Sequence, residues 1–242
     1  MLRRMPPTQL EDLEASIREL EAQLPSAAPE MRALLATQID ALRSAGAMLR
    51  GAQPQIDELK KLRPALSPEI AGFFTPAPPV EVPAWVPDAI TRPAVSPELL
   101  RCPPGAQMYW AEESVGCAVP RGAGRIPIRE GLELRFHSTG RLQSQRFYEA
   151  DLLRWSIEYH ATGGRASVGF YVAREPKTYP EHGLHTRFAP NGTITSQATY
   201  EAGAQHGWSR IWDDDGYPIG ATLYDHGTAV ESLLPDGTRR PA

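Results

Sequence analysis

Six histidines and two cysteines are the residues of this 242-residue chain best suited to chemistry. Imidazoles and thiolates ligate metals and exchange protons near neutral pH. All the histidines lie beyond residue 130, at 137, 160, 182, 185, 206 and 226. Their spacing points to structure. His182, His206 and His226 each precede a glycine, and His137 and His160 each follow an aromatic residue. Recurring positions account for five of the six, so no metal or cofactor is expected. Cys102 and Cys117 fall short of the four ligands of a structural zinc site. The chain starts "MLRRMPPTQL", with no apolar stretch after its positive charges, which favours a cytosolic location and reduced thiols. The alternative is a disulfide closing "CPPGAQMYWAEESVGC", where Pro-Pro-Gly promotes a compact turn. "WDDDG" lacks the alternating ligands and later glutamate of a calcium loop and reads as a charged hairpin tip. No glycine-rich loop joins a strand to a helix, and no motif sets a nucleophile beside a base. The chain is expected not to be an enzyme.

Charge narrows the partners. Net charge is -4, and from Arg121 onward 14 Lys or Arg face 14 Asp or Glu. Without a basic field, nucleic acid is not expected. No stretch has the roughly 18 uninterrupted apolar residues of a membrane helix, and no basic patch favours an anionic lipid surface.

The elements that would carry any site divide the chain into three regions: 1–74 helical, 75–120 proline-rich, and 121–242 β-repeat. Leu10, Leu13, Ile17, Leu20 and Leu24 alternate spacings of three and four, an a/d seam ended by Pro25. A second helix follows Pro29 with Leu35, Ile39, Leu42 and Leu49. A third is expected after Pro54, with Ile56, Leu59 and Leu62, ending before Pro64. Two or three heptads are marginal alone, so residues 8–50 form either a helical hairpin or a coiled coil with a second copy. From Thr75 to Gly105, prolines 76, 78, 79, 83, 87, 93, 97, 103 and 104 are expected to exclude regular helix and central strand. Trp85, Val86, Ile90, Tyr109 and Trp110 would be wasted in a solvated linker. The second half of this connector is expected to lie over the end of the next domain.

That domain is repetitive. Four residues before Gly140, Gly163, Gly192 and Gly216 stand Phe136, Tyr159, Phe188 and Trp212; eight after them stand Tyr148, Tyr171, Tyr200 and Tyr224. Leu233 and Gly237 suggest a fifth half-unit. Each unit reads as strand, tight turn, strand and looser turn, with glycine supplying positive φ. The aromatic and tyrosine positions then form two ladders of cross-strand packing. Arg135, Glu158, His185, Arg187 and Ser209 alternate away from the aromatic side. Phe147, Phe170 and Leu223 are expected on or beside that outward face, with the insertion 173–181. Either the connector covers these apolar groups or a partner does; in the second case Phe170 and Arg187 are the partner-binding candidates.

From His182 to Gly227, "HGLHTRFAPNGTITSQATYEAGAQHGWSRIWDDDGYPIGATLYDHG" resembles the MORN repeat and its bacterial relatives, including the YwqK-like antitoxin family. The resemblance covers about residues 129–238 and departs at the second unit, where Arg154 replaces the leading glycine. It implies an elongated antiparallel meander serving as a platform for protein partners, with lipid binding proposed for some members. The expected fold is α+β: an N-terminal helical hairpin or coiled coil followed by a MORN-like β-meander. The expected function is a non-enzymatic interaction module or scaffold; the alternative is an antitoxin or immunity protein that neutralises a toxic enzyme.

Overall fold

The computed structural model describes residues 9–79, 81, 82, 87, 88, 90–122, 125–172 and 180–242. Trp85, Val86 and nearly all of the 173–181 insertion lie outside the described residues. Two helices, α1 (Gln9–Gln23) and α2 (Pro29–Lys61), precede two short ones, α3 (Pro68–Phe73) and α4 (Pro97–Leu100). Thirteen strands follow: β1 (Gln107–Trp110), β2 (Ser114–Val119), β3 (Ile128–Phe136), β4 (Leu142–Glu149), β5 (Leu152–Tyr159), β6 (Arg165–Tyr171), β7 (Glu181–Phe188), β8 (Ile194–Glu201), β9 (Ala204–Gln205), β10 (Gly207–Trp212), β11 (Pro218–Asp225), β12 (Thr228–Leu233) and β13 (Arg239–Pro241). They form one antiparallel sheet in chain order, with β9 paired only to β8. β1 and β2 bring Gln107–Val119 into the sheet, a stretch that composition assigns to the connector, and α4 is one helical turn where no regular helix is expected, because Pro97 takes the first helical position, which needs no amide donor.

α1 and α2 make an intramolecular hairpin. Leu35 and Ile39 are buried, Leu13 lies against Gly46, and Arg43–Glu21 and Arg50–Glu14 ion pairs flank the seam. Pro54 does not begin a third helix: α2 runs through it to Lys61. The proline removes one backbone donor, and it does so on an exposed stretch where water can serve the freed carbonyl. The hairpin lies along the row of tight turns. Glu19 accepts from the Ser138 backbone and hydroxyl at the β3–β4 turn, while Lys60 and Arg63 pair with Asp215 and Asp213 at the β10–β11 turn.

The tight turn recurs five times, with the same pair of backbone bonds beginning at His137, His160, Ala189, Asp213 and Leu234. Its glycine has positive φ each time: Gly140, Gly163, Gly192, Gly216 and Gly237. A β-bulge recurs with it. Phe136 faces Leu142 but Arg135 faces Ser144, so Gln143 is the extra residue. Ala166, Thr195 and Ile219 are extra in the next three hairpins, each three residues after the turn glycine.

Those bulges decide the faces, because one inserted residue exchanges the sides of everything beyond it. Leu132 faces Phe147 and Leu134 faces Gln145, and Phe147 faces Trp155, which faces Phe170. Phe147 and Phe170 therefore lie on the aromatic side. Phe147 stacks on Trp155, centroids 5.7 Å apart, and both phenylalanines pack against the main core. Leu223, paired with Trp208, joins the same side. This corrects the expectation that these three lie on or beside the outward face; Phe147 and Phe170 pack in the core to which the connector contributes, and Phe170 is withdrawn as a partner-binding candidate. The tyrosine ladder takes the opposite face: Tyr148 pairs with Gly131 and Tyr200 with Gly183.

The described residues between 68 and 106 run back across the aromatic face as a strap. Phe73 meets Trp208 edge-on at 5.0 Å, and buried Phe74 packs with Trp212, Ala221 and Leu233. The Trp212 indole donates to the Phe74 carbonyl at 2.8 Å. Gln197 accepts from the Ala77 amide at 2.9 Å and donates to its carbonyl at 2.7 Å. Further along, Asp88 accepts from the Tyr159 hydroxyl, and Val82, Ile90, Val95 and Leu100 enter the main core. The strap ends in a disulfide between Cys102 and Cys117, which overturns the preference for reduced thiols. Neighbouring Pro103 explains one glycine: a Cβ on Gly131 would come within 2.8 Å of its ring.

Candidate functional site: the tyrosine face

With the strap on one face, the other offers the meander to solvent. Its floor alternates small and ring-bearing positions. Ser144, Ser156, Ser167, Gly169, Ser196, Ala198 and Gly220 leave space beside Tyr148, Tyr171, Tyr200 and Tyr224. Charged side chains close over its N-terminal half. Arg129 lies 4.0 Å above the Tyr148 ring while pairing with Asp151, and Arg146 reaches Glu158. Tyr109 donates to Glu133, which is itself buried. Burial, then that bond, raises the Tyr109 hydroxyl well above its ordinary value; burial raises Tyr148 and Tyr171 also. These phenols stay protonated near neutral pH. They are hydrogen-bonding surfaces rather than proton carriers.

His185 sits at the centre of the face and is the one histidine that the repeat leaves unexplained. Its ring lies between Tyr171, edge-on at 5.5 Å, and Tyr200 at 5.0 Å. Gly169 supplies the room, since a Cβ there would come within 2.5 Å of the imidazole. Nε2 lies 2.8 Å from the Phe170 carbonyl. Burial holds the imidazole below its ordinary value, against the opposing effects of that bond and of Glu181. A neutral ring in aromatic contact is the result.

Arg187 lies in a more exposed row. It pairs with Ser196, and Ser196 pairs with Ile211, whose side chain is 47% exposed. A cation and an open apolar group therefore flank one small residue, at the C-terminal end of the tyrosine–histidine stretch.

The turn glycines and both ladders are visible as sequence repeats. The sequence reading missed Gln197, Gln145, Arg129 and the Gly169–His185 pair. Gln145 and Gln197 share a repeat position, five after the turn glycine, and each bonds toward the strap: Gln145 to Tyr159, which reaches Asp88, and Gln197 to Ala77. That shared position was the available signal. A second histidine cluster, Glu201 with His206 and His226, gathers at the opposite edge from the tight turns. Among the described residues, no helix is long and apolar enough to cross a membrane.

No family model and no curated protein matches the chain. Among solved structures, the chain is similar to a glycosylation-associated protein complex, Gap123, from Streptococcus agalactiae, at 15% identity over 49% of this chain and 21% of that one, with a TM-score of 0.30. It is also similar to a GtfA/B complex bound to UDP and GlcNAc, at 13% identity over 67% of this chain and 35% of that one, with a TM-score of 0.30. The chain thus spans about a fifth to a third of the length of those chains. Similarity at this level assigns neither activity nor partner.

Proposed function

We propose that the chain is a non-enzymatic, MORN-like interaction module whose tyrosine face captures a protein partner. One observation carries the reading: the strap occupies the aromatic face, and among the described residues no segment crosses the tyrosine face, a polar and aromatic surface built on paired strands. Tyrosine and arginine supply contact area and hydrogen bonds at low entropic cost, which is why interfaces favour them. The five-fold turn and the four-fold bulge beside it support the MORN-like affiliation. An antitoxin is the case in which the captured partner is a toxic enzyme.

Assembly through the N-terminal helices belongs to the same reading. The seam facing α1 is spent inside the chain, but α2 presents a second heptad stripe to solvent. Met31, Leu34, Gln38, Ala41, Ala45, Met48, Ala52, Gln55, Leu59 and Leu62 follow spacings of three and four, and Met48, Leu59 and Leu62 are 75%, 66% and 77% exposed. A second copy of α2 would cover such a stripe.

Affinity capture from the native host, read by mass spectrometry, tests the partner face. Wild type should retain one dominant protein that Arg187→Glu with Ile211→Glu loses at unchanged melting temperature. Equal capture by both proteins would sink the assignment of this face.

A further inference from the structure

We propose that Glu201, His206 and His226 form a zinc-binding site, with Asp225 orienting one of its imidazoles. The residues converge from two looser turns that follow one another in the repeat. Glu201 ends β8, His206 precedes β10, and His226 lies in the turn between β11 and β12. One ligand atom from each of the three lies within 4.8 Å of the others. His226 Nε2 is 3.5 Å from Glu201 Oε2. Zinc bonds of about 2.0–2.1 Å to nitrogen and oxygen, arranged tetrahedrally, need ligand atoms roughly 3.3 Å apart. The pair is almost at that separation before any ion enters.

Asp225 supplies what bare proximity lacks. Its Oδ1 lies 2.6 Å from His226 Nδ1. A carboxylate there keeps the proton on Nδ1 and leaves the Nε2 lone pair facing Glu201, as metal-bound histidines commonly have it. The same oxygen is 3.5 Å from His206 Nδ1. The two imidazoles lie against each other, centroids 4.5 Å apart and planes at 48°, a placement that a shared cation would turn from crowding into coordination.

The turn itself does not require a histidine at position 226. Positive φ recurs at Ala150–Asp151, Ala202–Gly203 and His226–Gly227, so alanine serves where His226 stands. Two imidazoles and a carboxylate suit zinc, and a water would complete the tetrahedron on the solvent side. The chain's two thiols are bonded to each other and do not compete. A bound ion would clip the β8–β10 connection to the β11–β12 turn.

Untagged full-length protein, stripped with chelator and titrated with zinc chloride by calorimetry, should bind one ion per chain. His206→Ala with His226→Ala should abolish that event, and Asp225→Asn should weaken it about 10–100-fold. All three side chains changed are exposed, so the variants should melt with the metal-free wild type. The proposal fails if wild type binds no zinc. It fails equally if the double variant binds as wild type does, since His137, His160, His182 or His185 would then hold the ion. Unchanged affinity in Asp225→Asn would refute the orienting role.

Discussion

Trp212 joins the repeat to the strap, and its replacement separates two contributions. The indole is 2% exposed and packs with Phe74, Ala221 and Leu233. Truncating a buried tryptophan to alanine costs about 3–5 kcal/mol in lost transfer energy and cavity. Part of that sum is polar: without its indole donor, the Phe74 carbonyl is left without its partner in the core, at about 1–3 kcal/mol. Trp212→Phe keeps an aromatic body and should therefore cost about 1–3 kcal/mol, mostly through the carbonyl. Tyr200 occupies the other ladder, only half-buried, and meets His185 and the Gln205 amide. Its ring contact is worth about 0.5–1.5 kcal/mol beyond area, so Tyr200→Ala should cost clearly less than Trp212→Ala. Denaturant midpoints at constant slope, with the disulfide intact, give the comparison. A Trp212→Phe midpoint equal to wild type would show that the strap carbonyl does not depend on the indole. A Tyr200→Ala shift matching that of Trp212→Ala would show that the tyrosine face is core.

Other expectations can be checked on the same protein. Reducing Cys102–Cys117, which closes a 15-residue separation, should cost about 3 kcal/mol and free the end of the strap to proteolysis, whereas cleavage unchanged by reductant would contradict its role as a clasp. The depressed imidazole of His185 sets a pH dependence: above about pH 6.5 it is neutral folded or unfolded and contributes nothing. As pH falls through that value, the unfolded chain takes up a proton that the folded chain resists, so stability declines. His185→Asn should flatten the melting-temperature profile between about pH 7 and 5, and an unaltered profile would assign the decline to other groups. Finally, Met48→Glu with Leu59→Glu should convert a dimer to a monomer by light scattering without lowering the melting temperature; a wild type that is monomeric at every concentration would remove assembly through α2.

The legible part of the fold was the part that single residues enforce. A turn needing positive φ selects glycine, and four such turns at nearly fixed spacing reveal the repeat. The bulge selects no residue type: Gln143, Ala166, Thr195 and Ile219 have little in common. Pairing β3 with β4 without it sets Leu132 opposite Arg146 and puts Tyr148 on the leucine side. With it, Leu132 meets Phe147 and Tyr148 crosses to the other face. That one-residue step is why Phe147, Phe170 and Leu223 were placed on the wrong side, while Arg135, Glu158 and His185, which precede the inserted residue, were placed correctly. Proline likewise gave a rule with local exceptions, since Pro54 is tolerated where its neighbours are exposed.

The same bulge gives the sheet two faces of different character, and this carries the functional argument. On the aromatic side, large apolar groups are closely spaced and an open sheet would leave them wet. The chain covers them with its own strap; Gln197 of the sheet meets the Ala77 amide and carbonyl, which an extended, proline-rich segment cannot pair in a strand ladder, and Asp88 of the strap accepts from Tyr159. On the tyrosine side, each ring alternates with serine, glycine or alanine; Tyr148 is buried beneath Arg129, whereas Tyr171, Tyr200 and Tyr224 are only half-buried. Among the described residues, such a face carries fewer large apolar groups than the aromatic side and has less need of cover. The molecule can therefore keep a rigid contact surface available, with Arg187 and Ile211 at its open end, and a protein that docks there need not reorganise the core to bind.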